Sequence, residues 1–201
     1  MYHWRKLTDK QRDDLLAWRR QMRFPWHSPP HCISDRGVYH ITAACYEHEA
    51  IIGSSPARMA GFADALVACL SLHAGAIHAW CVLPNHYHAL LATPDVFALL
   101  AALGKLHGRT SFAWNGEDAR RGRQVWCKAA DRGMRSDRHH WATLNYVHHN
   151  PVHHGYARRW QEWPYSSAVE YLEGVGHAEA ERIWREFPIL DYGKGWDDPS
   201  I

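Results

Sequence analysis

The chain has 201 residues, of which 46% are hydrophobic, and its 23 Lys and Arg nearly balance its 21 Asp and Glu. That length and composition predict one domain with a buried core and terminal extensions. No apolar run approaches the ~18 residues that a membrane span needs, and the polar N-terminus lacks the apolar centre of a signal peptide. We therefore expect a soluble cytoplasmic protein and exclude an integral membrane protein.

Five cysteines are scattered along the chain and form no Cys-x-x-Cys pair: Cys32, Cys45, Cys69, Cys81 and Cys127. Their odd number and wide spacing argue against a disulfide framework and against a structural zinc site. The pattern predicts free thiols, most of them buried.

The charge is divided unevenly along the chain, although the total is only +2. Residues 101–160 hold 11 Lys and Arg against 4 Asp and Glu, a net charge of +7, whereas residues 161–201 hold 3 against 9, a net charge of −6. A basic segment of this kind is typical of a nucleic-acid-binding surface. A solvated basic face explains the charge equally well, so charge alone leaves both explanations open.

Two segments precede the predicted core. Residues 8–23 have a helical pattern with Thr8 or Asp9 as the N-cap, and residues 24–36 form a proline-rich linker. We therefore assign residues 1–36 to an N-terminal helix and linker.

The core begins with a strand and a helix. Residues 37–46 are rich in β-branched and aromatic side chains, which predicts a strand. Residues 54–73 follow a helical period, with Ser54 or Ser55 as the cap and Pro56 near the first helical position.

A β-hairpin and a second helix follow. Residues 76–83 and 86–93 predict two strands joined by a tight turn at Pro84-Asn85, and residues 95–114 predict a helix that contains two glycines.

The last predicted core elements are a strand at residues 124–129 and a helix at residues 136–149, which Pro151 stops. The order β-α-β-β-α-β is that of a ferredoxin-like α+β fold, an antiparallel sheet with helices on one face. We assign residues 37–155 to this domain and residues 156–201 to an acidic C-terminal extension.

The most informative motif is His86-Tyr87-His88. Alternate residues of a strand point to the same face, so the two histidines project together while Tyr87 points the other way, towards the core. Two imidazoles so placed can chelate one divalent metal. Taken alone the pair is a weak signal, because a chain with 17 histidines contains such pairs by chance.

A second motif lies in the last predicted helix, where Tyr146 and Asn150 are one turn apart and share a face. An amide oxygen is a suitable hard ligand for Mg²⁺ or Mn²⁺, and a neighbouring tyrosine could attack a phosphodiester that the metal polarises. In isolation, a packing aromatic and a helix-capping asparagine explain these two residues better.

Together the two motifs resemble a known family, the REP-associated tyrosine transposases, which are HUH enzymes related to the single-strand insertion-sequence transposases. The similarity covers residues 39–167, and its Pro-Asn-His-x-His and Tyr-x-x-x-Asn-Pro signatures, in this order, are specific. The segments that carry it are Tyr39-His40-Ile41-Thr42, Ala79-Trp80-Cys81-Val82-Leu83-Pro84-Asn85-His86-Tyr87-His88, Arg123-Gln124-Val125-Trp126, Leu144-Asn145-Tyr146-Val147-His148-His149-Asn150-Pro151-Val152 and Trp163-Pro164-Tyr165-Ser166-Ser167.

The resemblance implies a ferredoxin/RRM-like fold and a metal-dependent endonuclease and strand transferase of DNA transposition and recombination. By position it implies that His86, His88 and Asn150 bind Mg²⁺ or Mn²⁺. It also implies that Tyr146 is the nucleophile, which forms a 5′-phosphotyrosine and releases a 3′-OH. The sequence departs from the family at Tyr87, which is bulkier than the usual residue between the histidines.

A second departure lies in the turn Pro151-Val152-His153-His154-Gly155-Tyr156, where the family often has an arginine before a small residue. This departure puts the backbone contacts of that turn in doubt rather than the chemistry.

The resemblance also implies a partner, single-stranded DNA that contains a short hairpin or palindromic repeat. The C-terminal extension favours a monomer over the dimers of the insertion-sequence relatives, and the activity would belong to the bacterial cytoplasm and its nucleoid. Basic residues of the +7 segment, with one tryptophan, are the candidate DNA contacts: Lys105, Arg109, Arg120, Arg121, Arg123, Lys128, Arg132, Arg135, Arg138 and Trp126.

Two other functions stay open. A metal-dependent phosphodiester hydrolase could use His86 and His88 with a metal-bound water and would not need Tyr146. A non-catalytic relative could bind nucleic acid without cleaving it.

Overall fold

The computed structural model of the chain describes residues 36–190, together with residues 8–11, 13, 14 and 17 near the N-terminus. The remainder of the predicted N-terminal helix, the linker up to residue 35 with Cys32, and the tail from residue 191 lie outside the described residues. Within the described part, no helix is long and apolar enough to span a bilayer.

The N-terminal segment agrees with the helix prediction where it is described. Residues 9–11, 13, 14 and 17 are helical. The Thr8 hydroxyl accepts a hydrogen bond from Gln11 N at 3.3 Å, as an N-cap side chain does.

The domain is built on a four-stranded antiparallel sheet in the order β2-β3-β1-β4. Its strands are β1 (Val38–Ala44), β2 (Ala76–Val82), β3 (His86–Ala92) and β4 (Ala130–Gly133). Two longer helices complete the pattern, α1 (Pro56–Ser71) between β1 and β2 and α2 (Val96–Glu117) between β3 and β4. This arrangement confirms the ferredoxin-like α+β fold.

Both helices begin where the capping residues place them. The Ser55 hydroxyl accepts from Arg58 N at 3.1 Å, and the Asp95 carboxylate accepts from Ala98 N at 2.9 Å. Each bond satisfies a backbone N–H that the first helical turn leaves without a partner.

One face of the sheet packs against α1 and α2. We call it the first face; it consists of alternate side chains of β1 and β3, all buried: Tyr39, Ile41, Ala43, Tyr87, Ala89 and Leu91. Phe62 and Leu66 of α1 and Leu99 and Leu103 of α2 cover them and are at most 2% exposed. Each large apolar side chain buried in this way contributes about 1.5–3 kcal/mol of transfer free energy.

The second face of the sheet is covered by another helix, α3 (Asp137–His153). Leu144, Tyr146 and Val147 of α3 pack on Cys81 of β2 and Leu90 of β3 in a separate apolar cluster. The prediction placed helices on one face only; α3 adds a layer on the other. All but the last residue of β3 are therefore buried.

The fourth strand begins later than predicted. Residues 124–129 contact the end of β1 through an isolated bridge between Cys45 and Trp126, whereas regular pairing begins in β4, with Thr42 opposite Ala130. The register shifts by one residue between the two, as at a β-bulge. The strand-like composition of residues 124–129 reflects burial in the core rather than a regular ladder.

The helix predicted to stop at Pro151 continues to His153. A proline in a helix interior removes a hydrogen bond and costs about 3 kcal/mol or more. Pro151 lies in the last turn, is buried, and accepts at its carbonyl from Tyr156 N at 2.8 Å, so packing and a bond beyond the helix accompany this proline. At the other end, the Ser136 hydroxyl caps α3 by accepting from His139 N at 3.1 Å.

Beyond α3 the chain returns along the outer edge of β2. Val82 N donates to Tyr165 O at 2.8 Å, and Ser167 N donates to Trp80 O at 3.0 Å. The indole N–H of Trp163 adds a bond to Val82 O at 2.8 Å. These bonds cover an edge strand that would otherwise expose unpaired backbone groups.

Two short helices close the described chain, α4 (Ala168–Val175) and α5 (His177–Glu186). The Asn145 side chain of α3 donates to Phe187 O at 2.9 Å, just after α5 ends. The described part of the predicted extension, residues 156–190, is therefore packed against the domain.

The described cysteines agree with the prediction of free, buried thiols. Cys45, Cys69, Cys81 and Cys127 are all free and buried.

Candidate functional site

The two sequence motifs meet on the second face of the sheet. His86 and His88 are alternate residues of β3 and face α3, while Tyr87 points into the first face, where its hydroxyl is 3.1 Å from His107 Nε2. From α3, Tyr146 and Asn150 point back towards β3. The strand and helix periods therefore bring together residues that are 64 positions apart in the chain.

The contacts among these four side chains are direct. His86 Nε2 is 3.1 Å from Asn150 Oδ1. The ring centroids of His88 and Tyr146 are 5.1 Å apart, and those of His86 and His88 are 4.9 Å apart. All four residues are buried, with Tyr146 4% exposed and the other three 1%. We call these four residues the HHYN cluster.

Hydrogen bonds set the tautomer of His86. The Asn85 amide donates from Nδ2 to His48 O at 3.2 Å, which orients its Oδ1 as the acceptor 2.7 Å from His86 Nδ1. His86 therefore carries its proton on Nδ1, and the lone pair of Nε2 faces Asn150. A carbonyl-type acceptor on the far nitrogen is the usual support of a metal-binding histidine.

His88 has a comparable support from the neighbouring strand. His40 of β1 points to the second face, and its Nε2 is 3.2 Å from His88 Nδ1. The His40 ring also lies edge-on to Tyr146, with centroids 5.9 Å apart. His40 is 2% exposed. This histidine touches both sequence motifs, although the sequence assigns it no role.

A further unpredicted neighbour is His154, which follows α3 directly. Its ring is 5.1 Å from that of His86 and nearly perpendicular to it. His154 lies in the turn between α3 and the C-terminal part of the chain.

The donor atoms of the cluster suit a divalent cation. In the orientation observed, His86 Nε2 and Asn150 Oδ1 are both acceptors, which repel each other at 3.1 Å unless a cation or proton lies between them. Turning the amide over would let Nδ2 donate to His86 in the absence of a metal. As it stands, the buried Nδ2 of Asn150 has no hydrogen-bond partner among the residues described.

Histidine and carboxylate ligands alone do not form such a site. In the described ranges, no three His, Cys, Asp or Glu side chains are arranged to hold a metal. A metal at the HHYN cluster would therefore depend on the amide oxygen of Asn150 as its third protein ligand.

Trp126, one of the predicted DNA contacts, lies in the core of the described structure. Its ring is 7% exposed and stacks on His107 with centroids 4.3 Å apart, between Phe62 and Trp114. The indole N–H donates to Thr110 Oγ1 at 3.0 Å. Trp126 is a core residue and does not present its ring to a base.

Arg123 is likewise structural. Its guanidinium contacts Asp118 at 2.6 Å and Asn115 Oδ1 at 2.9 Å, and its side chain is only 12% exposed. Arg58 contacts the same carboxylate at 2.6 Å from the other side. These contacts form an ion-pair network that ties α1 to the end of α2, and the phosphate contact at Arg123 stays a prediction.

The remaining basic candidates are exposed but do not form one patch around the HHYN cluster. Lys105 and Arg109 lie on α2, on the side of the sheet away from α3. Arg120 pairs with Glu49 at 3.4 Å, and Arg121 lies over the Phe112 ring. The others lie in or near β4 and the start of α3: Lys128, Arg132, Arg135 and Arg138.

Arg132 has the most direct relation to the cluster. It stands opposite His40 in the β1–β4 ladder, and directly opposed residues of an antiparallel pair point to the same face. Its exposed side chain is therefore on the second face, beside the histidines and Tyr146.

The comparisons with known proteins agree with these observations. No family model matches the chain. A curated protein of Haemophilus influenzae, named "Putative REP-associated tyrosine transposase", is 30% identical over 97 residues, which are 43% of this chain and 55% of the relative. The chain thus spans about half the length of that relative.

A solved structure of a REP-associated tyrosine transposase bound to a REP hairpin has a similar fold. The TM-score is 0.55 at 17% sequence identity, and the match covers 71% of this chain and 84% of the other. The similarity to REP-associated tyrosine transposases that the motifs indicate is therefore confirmed in sequence and in fold.

The Arg58–Asp118–Arg123 network predicts a pH-dependent stability. Hydrogen bonds from Arg58 and Arg123 lower the pKa of Asp118 to about 2. Because this pKa lies below its unfolded value of about 3.9, the stabilisation is present above about pH 4 and disappears as the pH falls towards 2. We expect Asp118→Asn to lower the free energy of unfolding by about 1–2 kcal/mol at pH 7.

Urea unfolding between pH 7 and pH 2.5 measures this effect, with Asp64→Asn on the exposed side of α1 as the control. The difference in free energy of unfolding between the wild type and Asp118→Asn should become smaller below pH 4. A difference that stays constant over the whole range would show that the network does not act through the carboxylate charge.

Proposed function

We propose that this chain, which resembles the REP-associated tyrosine transposases in sequence and fold, is a metal-dependent enzyme that nicks and rejoins single-stranded DNA. The observation that carries the proposal is the convergence of two separate motifs in one buried cluster, with His86 3.1 Å from Asn150 and His88 in ring contact with Tyr146. Its substrate in this proposal is DNA with a hairpin or palindromic repeat, and the enzyme acts as a monomer.

The proposed reaction is a transesterification at phosphorus. The Tyr146 Oη attacks the scissile phosphate and forms a Tyr–O–P bond, while the P–O3′ bond breaks. The departing 3′ oxygen takes a proton and the phenol loses one, so no net acid or base is consumed. The phosphotyrosine keeps the energy of the phosphodiester, and attack by another 3′-OH rejoins the strands without a nucleotide cofactor.

The chain's own residues prepare this step. His86 Nε2, His88 and Asn150 Oδ1 are the atoms and side chains that would hold Mg²⁺ or Mn²⁺. When bound, that metal would draw charge from the scissile phosphate and orient it. Asn85 and His40 keep the two imidazoles oriented through their Nδ1 atoms, so little reorganisation is needed when the substrate arrives.

The burial of the cluster has a consequence for the substrate. Tyr146 is 4% exposed, so most of its ring is covered and a phosphodiester can approach only the part of the side chain left accessible. The exposed Arg132 beside the cluster is the basic side chain best placed to hold the DNA backbone during that step.

A covalent-adduct assay tests the nucleophile. We expect the protein, with end-labelled single-stranded hairpin DNA and Mg²⁺ or Mn²⁺, to give a band that survives SDS. Tyr146→Phe should abolish the band because it removes only the attacking oxygen. Tyr165→Phe, in the segment along β2, is the matched control and should retain it.

The other outcomes separate the alternatives. Cleavage that persists in Tyr146→Phe without any adduct would indicate a hydrolase that uses a metal-bound water. Binding that is insensitive to EDTA, with no cleaved product, would indicate a non-catalytic DNA-binding protein.

The support of His86 by Asn85 predicts a metal-affinity effect that does not require DNA. Asn85→Ala removes the acceptor for His86 Nδ1, and we expect Mn²⁺ to bind about 10–100-fold more weakly. Asn85→Asp keeps an oxygen acceptor and should bind within a few-fold of wild type. Electron paramagnetic resonance titration of free Mn²⁺ measures both.

Asn145→Ala is the control for this experiment, because that amide lies on the same helix as Asn150 but bonds to the chain after α5. Its Mn²⁺ affinity should match wild type. Equal Mn²⁺ affinities of Asn85→Ala and the wild type would contradict the role assigned to Asn85.

A further inference from the structure

A cavity lies on another side of α3 from the HHYN cluster. It measures about 530 Å³, is open to solvent and is lined by α3, the short 3-10 helix Trp160–Glu162, α4 and α5. Half of its lining residues carry heteroaromatic or aromatic rings: His148, His149, Trp160, Tyr171, His177 and Trp184. The cavity takes no part in the chemistry proposed for Tyr146.

The walls present flat rings. His148 lies 4.9 Å from the Tyr171 ring and nearly parallel to Trp160, and His149 lies 4.8 Å from Trp184. Trp184 is 38% exposed and forms an accessible part of the wall.

Three polar atoms of the wall residues are buried just beneath the cavity surface. Within residues 36–190, His149 Nδ1, Gln161 Oε1 and the Tyr171 hydroxyl have no hydrogen-bond partner. A buried polar group without a partner is destabilising, so a ligand that these side chains could turn towards would relieve that cost. Gln161 Oε1 can only accept, so its partner must be a donor, as the amino and ring N–H groups of bases are.

The charges near the cavity suit a group attached to a phosphate chain. Arg185 is part of the wall, where it pairs with Glu181 at 3.0 Å, and both side chains are more than 70% exposed. Arg158 and Arg159, both exposed, directly precede Trp160 in the chain. Arg159 also lies 3.9 Å from Glu162. A phosphate outside the cavity would therefore have arginines within reach, in competition with Glu162 and Glu181.

We propose that this cavity binds one unpaired nucleobase of the DNA strand, a base with amino or ring N–H donors. The volume lies within the roughly 300–1,000 Å³ usual for ligand pockets, and stacking on aromatic side chains is the general mode by which proteins hold unpaired bases. The inference rests on the proposed action on single-stranded DNA and adds a base-reading site that α3 joins to Tyr146.

Abasic scanning of the hairpin DNA tests the proposal. Oligonucleotides that each lack one base are titrated against the full-length wild type in EDTA, so that no cleavage occurs. At one unpaired position, the loss of the base should weaken binding roughly 10-fold, the scale of one base–aromatic stack. Trp184→Ala should weaken binding of the intact DNA by a similar factor. For this variant, removing the base at that position should cause no further loss of affinity.

Two further variants guard against a general loss of structure. Tyr171→Phe removes only the hydroxyl. The loss of affinity that the abasic site causes at the same position should therefore become smaller but not disappear. Phe112→Ala, which removes a 73% exposed aromatic ring from α2, should keep the wild-type pattern. The proposal is overturned if no single abasic position weakens DNA binding. It is also overturned if the abasic site that weakens binding by the wild type weakens binding by Trp184→Ala equally.

The same oligonucleotides separate this inference from the proposed function. A Tyr146 adduct without any Trp184-dependent position would overturn the cavity proposal and leave the chemistry standing. A Trp184-dependent position without an adduct would support the cavity while contradicting the chemistry. No binding of any of the DNAs would overturn both.

Discussion

The packing of α3 across the second face of the sheet is the constraint on which the candidate site depends. Leu144 and Val147 of α3 bury apolar surface against Cys81 and Leu90, and this contact holds the helix in one orientation. In the same interface, Tyr146 and Asn150, one helical turn apart on α3, face His86 and His88, which are alternate residues of β3. The apolar burial that stabilises the domain therefore also holds Tyr146 and Asn150 against His86 and His88.

Polar groups in such an interface need partners, and the chain supplies them from β1 and from the hairpin turn. Asn85, at the turn, holds His86, while His40, on the adjacent strand, contacts His88. Each support occupies the Nδ1 side of a ring and leaves the Nε2 side towards α3. The side chains of the site are thus oriented before any ligand arrives. Residues of β1, of the turn before β3 and of α3 hold them together, rather than a single loop.

Much of this could be predicted from local patterns, because caps and side-chain periods act over a few residues. The Ser55 cap and the Pro84-Asn85 turn lie where the sequence predicts, and the alternation of β3 places Tyr87 and the histidines on opposite faces. The shifted start of β4 and the continuation past Pro151 were not predictable. A bulge depends on the partner strand, and tolerance of a proline depends on what packs around it.

The interior could not be assigned residue by residue for a similar reason. Trp126 and Arg123 have the composition of a DNA-binding surface, yet long-range contacts with Phe62, Trp114 and Asp118 make them structural. His40 was overlooked because only the pairing of β1 with β3 brings it to His88. Single-residue roles therefore required the tertiary structure, whereas the two motifs could be recognised without it.

The most direct test of the central claim, that the HHYN cluster is one metal-binding and nucleophile site, is an anomalous difference map from crystals soaked in Mn²⁺. We expect a single peak roughly 2–2.4 Å from His86 Nε2, from His88 Nε2 and from Asn150 Oδ1, on the side of the cluster that Tyr146 faces. A map with no peak there, with the three side chains in their metal-free positions and Mn²⁺ bound elsewhere, would contradict it.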